Sequence, residues 1–257
     1  MDQRVPVAIV TGGASGLGRS VVERLISQQI HVAIVDVSKE AGQIAEELDS
    51  KSDKEVRFFQ ADVSDKEQAL GVVKRIYEHF ERVDYLVNAA GIITRAPAAE
   101  VAATDLKRVI DINLIGSAFM CQAVYPYMKE VSGGSIVNFG SMLAHYGSKN
   151  LLTYAASKGG VLQVTQCLAV EWAGEYIRVN SVSPGYIETP LSSGATKDPV
   201  FKERILSRTP QRRFGKPEEV AAVVYFLLSD EASFVTGVDI PIDGGLLAGD
   251  PALFPPA

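Results

Sequence analysis

Short runs of β-branched and aliphatic residues alternate with longer amphipathic stretches along almost all of this chain, and that alternation restricts its fold most. Strand-like runs fall at 5–10, 32–35, 56–59, 83–87, 135–139, 177–182 and 238–242. Between them, apolar residues recur at helical spacing over about 17–28, 39–50, 66–80, 104–129, 153–173 and 217–229. Ser38 and Asp65 stand where N-caps belong, and Pro217 stands at a first helical position with Glu218 and Glu219 behind it. A strand followed by a helix and another strand builds a right-handed βαβ unit, and a series of such units builds a parallel sheet covered on both faces. The expected fold class is therefore α/β: a single-domain, Rossmann-like, doubly wound parallel sheet of about seven strands with helices on both faces.

With 257 residues, 47% hydrophobic and 22% charged, the chain can bury a full core without disulfides. Its two cysteines, Cys121 and Cys167, both lie in helical patterns and read as small buried apolar residues. Lys plus Arg 25 against Asp plus Glu 31 gives a net charge of −6, which argues against nucleic acid and against anionic membranes as partners. The stretch 131–148 lacks Lys, Arg, Asp and Glu but is rich in Gly, Ser and Asn, so it is not expected to span a bilayer. No basic and apolar leader precedes the first strand, and the expected location is cytoplasmic. No repeat or linker divides 1–257. The irregular stretch at about 186–215 reads as a lid over a site rather than a boundary.

Residues 11–18, Thr-Gly-Gly-Ala-Ser-Gly-Leu-Gly, follow the first strand and open the first helix. Glycines at 12, 16 and 18 allow a tight turn and close approach of a pyrophosphate, which the free N–H groups of the helix N-terminus would hold. Asp36 ends the second strand, 24 residues after Gly12, where a carboxylate can accept both adenosine ribose hydroxyls and repel a 2′-phosphate. The alternative is a surface carboxylate capping the next helix. The first reading favours NAD over NADP as cofactor.

Tyr154 and Lys158 are four apart in a helical pattern, so they share a face one turn apart. A tyrosine ionises near pH 10, and a neighbouring ammonium together with an oxidised nicotinamide would lower that value by charge attraction. Tyr-x-x-x-Lys is common on amphipathic helices, but here Ser141 closes the fifth strand 13 residues earlier, and Asn113 sits mid-helix, a poor place for an amide without a partner.

Taken together, Thr11 to Gly18, Asp62-Val63, Asn88-Ala89-Ala90-Gly91, Asn113, Ser141, Tyr154-x-x-x-Lys158, Pro184-Gly185 and Asp243-Gly244-Gly245 resemble the short-chain dehydrogenase/reductase family over nearly the whole chain. The resemblance implies hydride exchange between a nicotinamide and a secondary alcohol or ketone. It implies Tyr154 as general acid/base, Lys158 on the nicotinamide ribose, Ser141 on the substrate oxygen and Asn113 holding a water. Gly12, Ser15, Gly16, Leu17, Gly18 and Asp36 would meet the cofactor, with Asp62 and Val63 at the adenine. Asn88, Ala90 and Gly91 would shape the cofactor floor, and Pro184, Gly185, Ile187 and Thr189 would lie by the carboxamide. One departure is Ala89, where the family carries a second Asn. A homotetramer is implied as well, with the helices at 104–129 and 153–173 packing across one axis and the tail at 248–257 reaching a neighbouring subunit.

For the substrate, the run Ser-Pro-Gly-Tyr-Ile-Glu-Thr-Pro-Leu resembles polyol and sugar-acid members, with a 3-oxoacyl reductase as the alternative. Leu143, beside Met142, is an expected pocket wall, and His145, four residues after Ser141, is a candidate substrate contact. His31, His79, Trp172 and Tyr176 read as packing residues, and Arg212 and Arg213 as surface charge. No cysteine and histidine spacing suggests a metal.

Overall fold

The computed structural model of the protein describes residues 5–190, 198–249 and 251. Seven strands form one parallel sheet: β1 (Val7–Thr11), β2 (His31–Asp36), β3 (Val56–Gln60), β4 (Tyr85–Asn88), β5 (Gly134–Phe139), β6 (Ile177–Pro184) and β7 (Asp239–Ile242). Their spatial order is β3-β2-β1-β4-β5-β6-β7. The chain winds outward from β1 to β3, returns to β4 on the other side of β1, and winds outward again. The order therefore reverses between β1 and β4, and a crevice opens above the carboxyl ends of those strands.

Successive side chains of a strand point to opposite faces, and here both faces are covered. Val10 of β1 and Ile34 of β2 pack with α1 (Gly16–Ser27), α2 (Ala41–Asp49) and α8 (Pro217–Leu228). Their chain neighbours Ile9 and Val35 pack with α3 (Lys66–Phe80), α5 (Gly116–Glu130) and α6 (Leu152–Trp172) on the other face. Two further helices complete the described set, α4 (Ala103–Ile110) and α7 (Pro199–Arg208).

Asp65 caps α3 as expected, accepting from the N–H groups of Glu67 at 3.0 Å and Gln68 at 3.1 Å. Pro217 opens α8, where the Glu219 carboxylate reaches back to the Lys216 N–H at 2.7 Å. Ser38 is not the cap of α2. Its hydroxyl bonds the Glu40 carboxylate, and the helix starts later, at Ala41. The expected single helix over 104–129 is interrupted by one wide turn at Asp111–Ile115, where the bonding is i to i+5 and Gly116 N–H reaches Asp111 O. By length and composition the combined run Ala103–Glu130 could cross a bilayer, but here it packs against α3 and α6.

Two residues read as packing or buried are neither. Cys167 is exposed on α6, whereas Cys121 is buried. Tyr176 is 78% exposed and holds a left-handed conformation (φ 59°) at the turn into β6, while Trp172 is buried against Tyr125 as expected. The tail at 252–257 lies outside the described residues.

Candidate active site

A cavity of about 1420 Å³ runs along the carboxyl ends of the strands, from the glycine loop to α7. At one end, Gly12 takes φ 66° and donates its N–H to Val35 O at 2.8 Å, turning the chain sharply off β1. A Cβ on Gly12 would lie 2.9 Å from the Ala90 backbone, and one on Gly18 would lie 2.2 Å from Gly12 O. The loop therefore closes only with glycine at both positions. At Gly16 a Cβ would meet nothing within 4 Å, and there it is the left-handed backbone, φ 52°, that favours glycine. Ser15 precedes the first turn of α1, whose leading N–H groups have no acceptor within the helix and whose dipole is positive at this end.

Asp36 stands at the cavity edge at the end of β2, its carboxylate also accepting from Ser38 N–H at 3.0 Å. Asp62 and Val63 line the same end beyond β3, and Leu17 lies beneath. A glycine cradle that a side chain would fill, a helix N-terminus and a carboxylate placed for ribose hydroxyls fit a nicotinamide dinucleotide.

The floor is built from the ends of β1 and β4. Thr11 accepts the Ala90 N–H at 3.1 Å, holding Ala90 and Gly91 in the wall. Asn88 does not reach the cavity. It is buried behind the wall and donates to Asn138 Oδ1 at 2.9 Å and to Ser117 O at 3.2 Å, bracing β4 to β5 and α5. Ala89, at the departure from the family pattern, packs against the core beneath α1.

Three side chains expected from sequence to carry the chemistry line the middle of the cavity together. Ser141 lies just past β5, and Tyr154 and Lys158 project from the first two turns of α6. Lys158 is buried, donates from Nζ to Phe139 O at 2.7 Å, and lies 5.7 Å from the centroid of the Tyr154 ring. Burial disfavours its ammonium and lowers its pKa to about 8. The Tyr154 phenol is pushed up by burial, with a hydrogen bond from Ser141 and the charge of Arg95 pulling the other way. The lowering expected from sequence counts the charge of a bound oxidised nicotinamide as well as Lys158, and burial in the chain alone acts against it.

The Asn113 side chain ties two segments together. Its side-chain oxygen accepts from Ile92 N–H at 2.8 Å, and its nitrogen donates to Ile92 O at 2.9 Å and Ser157 Oγ at 3.0 Å. Ser157 in turn donates to Tyr154 O at 2.7 Å. The amide thus clamps the loop after β4 to the helix of Tyr154 and Lys158.

Beyond Tyr154 the cavity has an apolar floor of Met142, Leu143 and Leu246, packed with Tyr146, Tyr154 and Tyr186. Pro184, Gly185, Ile187 and Thr189 line the side next to β6. His145 does not face the cavity. It turns away to Asp239 Oδ2 at 2.9 Å, on β7, while its neighbour Tyr146 takes the lining position. Of the expected lid, the described part includes α7, which presents Arg204, Ile205 and Arg208 to the cavity, while 191–197 lie outside the described residues. Sequence reading missed Arg95, Arg204, Arg208, Tyr146 and Tyr186, all of which line this half. No cluster able to hold a metal occurs among the described residues.

Comparison with known proteins gives a family match over residues 12–247, described as enoyl-(acyl carrier protein) reductase. A 3-oxoacyl-[acyl-carrier-protein] reductase of Thermotoga maritima is 42% identical over 242 residues, covering 94% of this chain and 97% of that one. This chain belongs to the short-chain dehydrogenase/reductase family. D-threitol dehydrogenase of Mycolicibacterium smegmatis is 38% identical over 240 residues, covering 93% of this chain and 92% of that one. Among solved structures, a gluconate 5-dehydrogenase from Burkholderia cenocepacia in complex with NADP and tartrate superposes with a TM-score of 0.91 at 29% identity, covering 97% of this chain and 97% of that one. This short-chain dehydrogenase/reductase is an oxidoreductase that interconverts a small-molecule alcohol and ketone with a nicotinamide dinucleotide.

Proposed function

We propose that this dehydrogenase is NAD-dependent and acts on the secondary alcohol of a polyol, sugar or sugar acid. The observation that carries the reading is the meeting of Ser141, Tyr154 and Lys158 in one cavity with the glycine cradle of Gly12 and Gly18 and with Asp36. Asp36 supports NAD because its carboxylate would repel a 2′-phosphate. The D-threitol and gluconate enzymes among its relatives support the substrate class.

When bound, the dinucleotide supplies or takes the hydride. The chain does the rest. Ser141 holds the substrate oxygen by hydrogen bond, and Tyr154 Oη gives a proton to that oxygen in ketone reduction or takes it in alcohol oxidation. A phenol raised by burial is protonated at neutral pH, the state needed for reduction. Lys158 sits beneath the phenol and next to the ribose position, and Asn113 fixes both through Ser157 and Ile92. Leu143 and Met142 exclude water from the reacting carbon.

The similarity to an oxoacyl reductase favours a second reading, a 3-oxoacyl or other small-ketone substrate. A homotetramer fits the 84% exposed Val170 on α6, an apolar side chain that an assembly would cover, and the cytoplasm fits the cysteine content. The test is a panel of polyols, sugar acids and 3-oxoacyl thioesters assayed with NAD(H) and with NADP(H). The reading expects turnover of the polyol or sugar-acid series with NAD(H). Turnover confined to the thioesters with NADPH would overturn it.

A further inference from the structure

Although the chain carries a net charge of −6, the substrate half of its cavity is lined by cations. Arg95 enters from the segment after β4, and Arg204 and Arg208 come from α7, four residues apart and so on one helix face. Like charges at that spacing repel, and no carboxylate among the described residues answers any of the three. Elsewhere Arg19, Arg57 and Arg213 each sit on a glutamate at 2.6–2.9 Å and Arg82 pairs with Asp84, while Arg75 and Arg178 are taken up by backbone carbonyls and Arg24 by the Tyr225 ring.

The carboxylates of the cavity are at the wrong end or already engaged. Asp36 and Asp62 stand beyond β2 and β3, at the end read as the adenosine site, and Asp111 is paired with Lys107. Asp243, whose charge is felt by Tyr146, turns its oxygens to Gly245 N–H at 2.9 Å and Leu247 N–H at 2.7 Å. The arginines also lie close to the chemistry. Arg208 stands over the Tyr146 ring at 5.9 Å from its centroid, its charge reaches Tyr186 as well, and the charge of Arg95 reaches both Tyr186 and Tyr154.

We propose that the substrate is a compact hydroxy or oxo acid, whose carboxylate is recognised by Arg95 and Arg208, with Arg204 beside them, while its reacting carbon lies at Ser141 and Tyr154. This narrows the proposed function and rests on it. Guanidinium forks match a carboxylate in two parallel hydrogen bonds. The apolar floor of Met142, Leu143 and Leu246 takes the carbon body between the two ends. A carboxylate fits better than a phosphate monoester, because a dianion would place a second negative charge beside the phenol whose ionisation alcohol oxidation requires.

The experiment compares kcat/KM for matched pairs: gluconate against glucitol, and 4-hydroxycyclohexanecarboxylate against its amide, with glycerol 1-phosphate as the phosphate arm. Each is run with the wild-type enzyme, Arg95→Gln, Arg208→Gln, Arg208→Lys and Lys202→Gln, the last being an exposed cation of α7 outside the cavity. The proposal expects the acid of at least one pair to be preferred, and that preference to fall by about 10- to 100-fold in the two glutamine variants, mainly through KM. Arg208→Lys should recover part of it, Lys202→Gln should leave it in place, and the KM for the acid should rise with salt. Preference for the neutral partners, a ratio unmoved by both glutamine variants, or preference for the phosphate overturns the proposal while leaving an alcohol dehydrogenase in place. No turnover in either series, with NADH bound tightly by the wild-type enzyme, overturns the underlying substrate reading as well.

Discussion

Lys158 is a buried cation that donates to the Phe139 carbonyl, and replacing it by Met tests what that burial costs. Its pKa falls from 10.5 to about 8 in the fold. A lysine with a lowered folded-state pKa binds fewer protons folded than unfolded, so it costs stability below pH 8 and stops doing so as pH rises toward 10.5. That lowering amounts to about 3 kcal/mol at pH 7, and linkage leaves about 1 kcal/mol at pH 9.5. Losing the bond to Phe139 O offsets part of this by about 1–3 kcal/mol, but that part does not change with pH. The assay is urea unfolding of cofactor-free wild type and Lys158→Met at fixed protein concentration, at pH 7 and pH 9.5. Relative to the variant, the wild type should gain about 2 kcal/mol between the two pH values. A flat difference, or one sloping the other way, would show that Lys158 is solvated and that the site is wetter than described.

The remaining expectations are simpler. Gly18→Ala places a methyl 2.2 Å from Gly12 O and should abolish dinucleotide binding by calorimetry, whereas Gly71→Ala, exposed on α3 with nothing within 4 Å, should raise stability by about 0.5–1 kcal/mol. Asp36→Ala should lower the ratio of NAD(H) to NADP(H) efficiency by about tenfold or more, read from kcat/KM with each cofactor. Since the Tyr154 phenol is raised, alcohol oxidation should quicken as pH rises above neutrality, while ketone reduction should hold level there and fall only as pH nears the raised phenol value, a difference visible in the two pH–rate profiles. Asn113→Ala, which unties Ile92 from Ser157, should reduce kcat by about 10- to 100-fold and shift the oxidation profile along the pH axis.

The strands and most helices were legible because their signals are local. β-branched runs, Asp65 as a cap and Pro217 at a helix start each act within a few residues. The glycine loop was legible for the same reason, since a turn that needs φ 66° at Gly12 leaves a mark in the sequence. What escaped depends on which way a side chain turns. The buried stripe of α6 contains Ser157, Lys158 and Thr165, while Val170 and Leu152 of the same helix are exposed. A helix whose inner face carries polar residues and whose outer face carries apolar ones has no pattern to place Cys167 inside or outside. Asn113 was recognised as out of place in a helix, but its partner, the backbone of Ile92, is brought to it only by the wide turn at Asp111–Ile115. His145 could not be told from Tyr146 as the cavity-lining residue until β7 placed Asp239 beside it. Arg95 is remote in sequence from Arg204 and Arg208, and only the topology of the sheet brings it to them at one end of the cavity.

The most direct test of the account is Tyr154→Phe, which removes one hydroxyl from the meeting point of Ser141 and Lys158. NADH binding and thermal unfolding should match the wild type, while turnover of a good substrate at pH 7 should fall by about 10²- to 10⁴-fold. Turnover near the wild-type rate with the phenol gone would contradict the assignment of Tyr154 as the group that moves the proton.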